Sequence, residues 1–539
     1  MTKSRLKKKW FLGIMLFIVA MGIVSSLVLD SIVKNILIKQ VPEQTQGRYF
    51  LEIESLSCSI FQRKLHLFST KLLPLSGQNI GSQAVFSIEI GELELAGVQI
   101  WRLIRNKELV INQVNILDPL IAIKRGIELD TLGNDNASGK KENIPFIQVN
   151  GFNIKNAHFT VIGHDSTNSI AASDASFSLQ GFIYDPQSLS SPPFDFEDFS
   201  LSVKDYSMAL PDSFYTLQAS AVTATAESES ITISGLELVP IYDIHQFMEK
   251  KGEQADRLNV FVKELKLQGL DFDRILEKEL VASFVTIDSL NLVAYRDKRY
   301  ILPSEKYVKF PQQALREFPH YVQVDSVLLH DAQITYRERV EGSEAPGHIN
   351  FVNINALTTN VTNAPDQLKD SVAMITNATG YLMGAGKISA HIYIPIGDEQ
   401  NVHYFEGNMS PMEMKVVNPM LKNIVFGEVL SGKVNELSFR AHLNEDESHG
   451  SMRFGYEDLK VQINHQESEK GRRGLITFVA NTFIVKSDNP ANGGFRESEM
   501  HYVRDKRKSL INFWWKTVLS GFKETMGIPE GNEKDKPEV

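Results

Sequence analysis

Apolar residues recur along this chain in a spacing that fits kinked β-strands and little else. The pattern is apolar-x-x-apolar-x-apolar-x-x-apolar, with Pro or Ala also accepted at the last place. It is read at Ile90/Leu93/Leu95/Val98, Ile111/Val114/Ile116/Pro119, Val149/Phe152/Ile154/Ala157, Val262/Leu265/Leu267/Leu270, Ile287/Leu290/Leu292/Tyr295 and Val324/Val327/Leu329/Ala332. The central step of two is the period of a strand with one apolar face. A step of three demands a small kink if the same face is to stay apolar. Phe159 and Val161, or Ile334 and Tyr336, continue the alternation, so each copy predicts a strand, a kink and a strand again. The copies are unevenly spaced, which excludes a propeller or a solenoid of fixed period.

Plain alternation appears downstream: Ile388, Ala390, Ile392 and Ile394; Met452, Phe454 and Tyr456; Leu459, Val461 and Ile463; Ile476, Phe478, Ala480 and Thr482. These read as a meander of antiparallel strands. Short helices are expected within Tyr242 to Arg257 and within Ser304 to Phe318, the second broken at Pro311. Gly126 to Asn143 and Ser188 to Glu197 read as loops.

At the start, Lys3, Arg5, Lys7, Lys8 and Lys9 precede a run without charge from Trp10 through Leu16, Val19 and Ile23 to Leu29. About 20 such residues at 1.5 Å rise span a hydrocarbon core of roughly 30 Å, whereas a cleaved signal peptide has an apolar core of roughly 7–15. The reading is one transmembrane helix with its Lys-rich end in the cytoplasm and the rest beyond the membrane. No later segment is comparably long and free of charge. At the other end, Arg504 to Lys508 leads into Leu510, Phe513, Trp514, Trp515 and Phe522, with Lys516 and Lys523 between them. A basic, Trp-bearing helix suits a membrane interface, with Trp514, Trp515, Phe522 and Lys516 as the contacts, or it caps the open core of a sheet.

Chemistry leaves few marks. With 66 acidic against 56 basic residues the net charge is −10, which argues against a surface that tracks nucleic acid. A single cysteine, Cys58, excludes an intramolecular disulfide or a Cys-based metal cluster. Gly427 to Lys433 has the glycine and lysine spacing of a phosphate loop, but Val434 stands where a Mg²⁺-binding hydroxyl is needed, so it reads as a strand turn. No hydrolase elbow, zincin pair or dinucleotide fingerprint occurs, and the 13 histidines are scattered, His164-Asp165 reading as a loop pair. The expectation is therefore no enzyme, no catalytic residue, no metal and no cofactor. Arg296, Lys298 and Arg299 follow a strand and are weighed as headgroup contacts against a solvated turn.

The Lys-rich anchor, the segment Leu51 to Ile60, strands such as Val114 to Ile123, and Leu270 to Asp273, Ala294 to Arg299, Leu382 to Lys387, Asn481 to Pro490 and Phe513 to Lys516 together resemble the AsmA-like proteins of Gram-negative envelopes. The resemblance covers most of the chain through structural motifs, none of them catalytic. It implies a mainly β fold: a transmembrane helix, then a long, curved antiparallel sheet forming a groove, with a few short helices and a C-terminal amphipathic helix. The expected divisions are 1–40 for the anchor, 41–240 and 241–505 for two groove halves, and 506–539 for the basic helix and tail. It also implies an inner-membrane protein, bulk periplasmic, that binds phospholipid or another envelope lipid and serves lipid transport or outer-membrane assembly. Other envelope proteins are further expected partners, and a non-enzymatic scaffold that binds them is the alternative. Ile116, Phe152, Ile154, Leu292, Leu329 and Ile392 are the residues expected to line the groove. An apolar face of this kind must be covered by helices, a partner or acyl chains.

Overall fold

The computed structural model describes residues 29–59, 62–75, 84–124, 146–163, 169–188, 192–369, 372–463, 485–491 and 494–528. Trp10, Leu16, Val19 and Ile23, the loop Gly126 to Asn143, His164-Asp165 and the strand expected at Ile476 to Thr482 lie outside them. The chain is mainly β and divides into two compact units, Met1–Ser228 and Glu229–Val539.

In the first unit a helix over residues 29–44 (α1) leads into β1 (Tyr49–Ser59), β2 (Lys64–Pro74) and β3 (Val85–Ala96). There follow α2 (Ile100–Asn106), β4 (Leu109–Leu117), β5 (Leu120–Lys124), β6 (Ile147–Ile162), β7 (Ser169–Tyr184), β8 (Phe194–Asp195), β9 (Asp198–Ala209) and β10 (Tyr215–Thr225). Paired strands run antiparallel, β3 meeting both β4 and β5 and β7 meeting both β6 and β9, with one exception: β4 and β5 both run parallel to β6.

The second unit begins with β11 (Ser230–Pro240). It continues with α3 (Ile244–Lys251), β12 (Asp256–Gln268), α4 (Phe272–Leu276), β13 (Leu280–Asp297), α5 (Pro311–Arg316), β14 (Val322–Arg339), β15 (Gly347–Thr362) and α6 (Pro365–Lys369). The remainder is β16 (Ala373–Leu382), β17 (Gly386–Pro395), β18 (His403–Met409), β19 (Met412–Glu413), a 3₁₀ turn at Met414–Val417, α7 (Asn418–Ile424), β20 (Gly427–Leu443), β21 (Glu447–Ile463), β22 (Glu497–Val503) and α8 (Leu510–Met526). Here β13 and β14 are parallel and the other neighbours antiparallel.

The expected antiparallel sheet is thus corrected to a mixed one in each unit. A parallel pair needs a crossover of a dozen or more residues, and the long connection through α5 supplies it between β13 and β14. Pro311 starts α5 at its first turn, where its missing N–H costs nothing, and does not break a longer helix. Met452 to Tyr456 and Leu459 to Ile463, read as two strands, are one strand, β21. Gly427 to Lys433 likewise lies inside β20 and not in a turn.

The repeat has a backbone cause. The residue before the last apolar position is left-handed in every copy: Gly97, Asp118, Asn156, Gly269, Ser289 and Asp331, with φ between 49° and 71°. Gly, Asn and Asp tolerate that region best, which explains why they recur there. One extra residue then bends the strand and returns the next side chain to the original face. The ladder breaks accordingly between Ile154 and Ala157 on β6 and between Leu329 and Ala332 on β14. Ser289 also corrects the frame of the fifth copy: Ala282, Val285 and Ile287 stand beside Val324, Val327 and Leu329, so Ile287 is its third apolar position. Ile287 and Leu290 satisfy the spacing in either frame, which is how the sequence misplaces it. Parallel neighbours kink in phase, and the Asn156 side-chain amide donates to Asp118 Oδ1 at 3.0 Å across one such pair of kinks.

Candidate functional site

Directly opposed residues of paired strands share a face, so the registers give the two faces of each sheet. In the first unit an apolar row runs Leu67, Leu93, Ile116, Ile154, Phe177, Leu201 across β2 to β9. A second row beside it runs Leu65, Leu95, Val114, Phe152, Leu179, Phe199. The rings of Phe152 and Phe177 meet edge to face with centroids 6.2 Å apart. Three of the expected groove residues, Ile116, Phe152 and Ile154, are therefore neighbours on one face, and all three are half-buried. Val33, Leu37 and Ile38 of α1 pack against Ile53, Leu56 and Leu67, so this helix covers the start of the apolar face.

The other face is polar. Lys64 pairs with Glu94 at 2.7 Å, Asn115 donates to Glu94 at 3.4 Å, Asn153 to Asn115 at 3.1 Å, and Ser178 meets Ser200 at 3.0 Å. This is a hydrogen-bonded line across the sheet, one residue out of step with the apolar rows.

In the second unit Leu292 lies between Val260 and Ile334 in a row that continues to Phe351 and Leu382. Leu329 lies between Ile287 and Ala356. Ile392, three strands on, stands between Thr376 and Phe405. All three are half-buried on the apolar face, which α8 covers at the far end.

The structure splits the expected membrane-interface residues of α8. Trp514 turns inward, its ring stacked on Phe405 at 4.7 Å and its indole N–H donating to His403 Nε2 at 3.1 Å. Phe522 packs on Phe454 at 4.7 Å, and Phe513, next to Trp514, is buried. Trp514 and Phe522 are thus core residues of a cap, while Trp515 is 48% and Ile511 72% exposed on the outer side. Lys516 lies between, and burial, then the like charges of Lys298 and Lys523, lowers its pKa. Ser509 caps the helix by accepting from Asn512 N–H, and Gly527 ends it with a left-handed turn.

Arg296, Lys298 and Arg299 each meet a carboxylate: Asp256 at 2.5 Å, Glu338 at 2.7 Å and Asp297 at 2.6 Å. Their charges are matched within the chain. Lys508 beside them is depressed to about 8 by burial and then by Arg296 and Lys298.

The polar face of the second unit is hollowed into a groove of about 800 Å³ over β15 to β22. Asn377 meets His391 at 2.8 Å, Ser389 donates to Asn408 at 2.6 Å, and Arg440 pairs with Glu406 at 3.2 Å along it. Of these residues, the alternation of Ile388 to Ile394 places only Ser389 and His391 on a water-facing side. Among the described residues no helix is long and apolar enough to cross a membrane, and the run from Trp10 to residue 28 is outside them. No protein-family sequence model matches the chain, and no curated protein matches it in sequence.

Proposed function

We propose that this chain is a membrane-anchored, AsmA-like envelope protein that holds lipid acyl chains against the apolar faces of its sheets and contributes to phospholipid transport or outer-membrane homeostasis. It works without catalysis, from the inner membrane, with the bulk of the chain in the periplasm. The observation that carries the reading is the pair of half-buried apolar rows in the first unit, aligned strand after strand by left-handed kinks. Such rows offer roughly 25 cal/mol for each Å² that an acyl chain removes from water. They require no individual polar residue, which accounts for the lack of a chemical motif.

The test is lipid extraction and mass spectrometry of the full-length protein purified in mild detergent. Phospholipid in stoichiometric amount is expected, and Ile116→Asp and Ile154→Asp should each cut it at least severalfold. A lipid-free, stable, monodisperse protein overturns the reading and turns the search to protein partners of a scaffold.

A further inference from the structure

The antiparallel register of β20, β21 and β22 sets three histidines side by side: His442 opposite His449, and His449 opposite His501. They face away from α8, because the adjacent Ser448 is buried and meets Thr517 of that helix at 2.7 Å. Glu447, two residues before His449, shares the outer face. Its Oε1 lies 3.2 Å from His449 Nε2 and its Oε2 3.2 Å from His501 Nε2. The two imidazoles are 4.7 Å apart between centroids and tilted by 30°. One ligand atom from each of Glu447, His449 and His501 falls within 4.8 Å of the others.

Around a tetrahedral zinc with bonds of about 2.0–2.1 Å, donor atoms sit roughly 3.4 Å apart. Each imidazole already stands near that distance, 3.2 Å, from one oxygen of the Glu447 carboxylate, His449 from Oε1 and His501 from Oε2, and rotation of the carboxylate brings one oxygen within reach of both. The imidazole–imidazole edge closes by rotation of two exposed rings, whose backbones the strand ladder holds fixed. Two imidazoles and one carboxylate form a donor set for a borderline-soft divalent ion, with hard ions such as Mg²⁺ disfavoured.

We propose that Glu447, His449 and His501 form a binding site for a divalent transition-metal ion of the zinc type on the outer face of the last three strands. Three protein ligands leave a fourth position, within reach of a water or of an external donor group. The site is independent of the lipid-binding reading, since it lies on the opposite face of its sheet.

The experiment uses the full-length protein in detergent, carrying an affinity tag without histidine and stripped of metal with a chelator. It is titrated with Zn²⁺ by calorimetry and with Co²⁺ by visible absorption. One equivalent of Zn²⁺ and a four-coordinate Co²⁺ spectrum are expected. His449→Ala, His501→Ala and Glu447→Gln should each weaken binding by roughly tenfold or more, the scale on which metal sites respond even to lost outer-shell partners. His391→Ala should leave it unchanged. The rings are exposed, so these variants should keep the wild-type circular dichroism and melting temperature. Equal binding by wild type and the His449→Ala/His501→Ala double variant, or no uptake by wild type, overturns the proposal.

Discussion

His403 shows how a single buried ring can be fixed in one protonation state. Its Nδ1 faces the Asn401 carbonyl at 2.9 Å and so must donate, while its Nε2 receives the Trp514 N–H and so must accept. A proton on Nε2 would set two N–H groups against each other in a site with no exposed surface. Burial accordingly drives the His403 pKa down to about 4. The unfolded chain titrates near 6.5 and binds this proton first as pH falls. The stabilisation is thus complete above about pH 6.5 and is lost on acidification toward pH 4, on the order of 3 kcal/mol in all. Melting curves from pH 7.5 to 4.5 should show this loss, and His403→Gln should flatten it; identical slopes in the two proteins would refute the assignment. The left-handed residues are the other single-position feature. Asn156→Ala removes the bond to Asp118 and puts at φ 55° a residue that tolerates the left-handed region less well than Asn, for about 1–2 kcal/mol. Asn156→Gly keeps the backbone relaxed, so denaturation midpoints should fall in the order wild type, Gly, Ala.

At the scale of the element, α8 caps the sheet with one side and leaves Trp515 and Ile511 exposed on the other. Its composition alone leaves the choice open, because basic and aromatic residues are equally compatible with a lipid interface and with a cap. What decides is the strand register, which brings Phe405 and Phe454 under Trp514 and Phe522 from sequence positions far away. Trp514→Ala should cost about 3–5 kcal/mol, as large core truncations do, whereas Trp515→Ala should stay within about 0.5 kcal/mol. Thermal denaturation distinguishes the two, and equal losses would mean that the helix is docked otherwise. If α8 also touches lipid, Trp515→Ala and Ile511→Ala should weaken binding to anionic vesicles without changing the melt. The kinked strands were legible for a simpler reason. Their spacing is local, so Ile116, Phe152 and Ile154 could be assigned to one face before any partner strand was known. The pairing of Glu447, His449 and His501 was not legible, since β21 and β22 meet across a long excursion of the chain and no local spacing records it.

At the scale of the molecule, each unit combines one apolar and one hydrogen-bonded face, and only part of the apolar face is covered by the helices described. Lipid in that face should act as a ligand of the folded state and raise the melting temperature in proportion to its occupancy. A hundredfold excess over Kd corresponds to about 2.7 kcal/mol. Delipidated protein should therefore melt lower and recover on adding phospholipid micelles, while an unchanged melt would contradict acyl-chain binding. The parallel pairs escaped the sequence reading because alternation is the same in parallel and antiparallel strands; only the in-phase kinks at Asp118 and Asn156, or at Ser289 and Asp331, betray the tandem copies. Those kinks also set which accidents of replication the chain can survive. Residues gained or lost in the connections between copies leave every strand as it was. Removing the one left-handed residue from a copy leaves that strand straight beside kinked neighbours and undoes the in-phase match of kinks, such as that of Asn156 with Asp118. The length of each nine-residue copy is thus under tighter constraint than the identity of any residue within it.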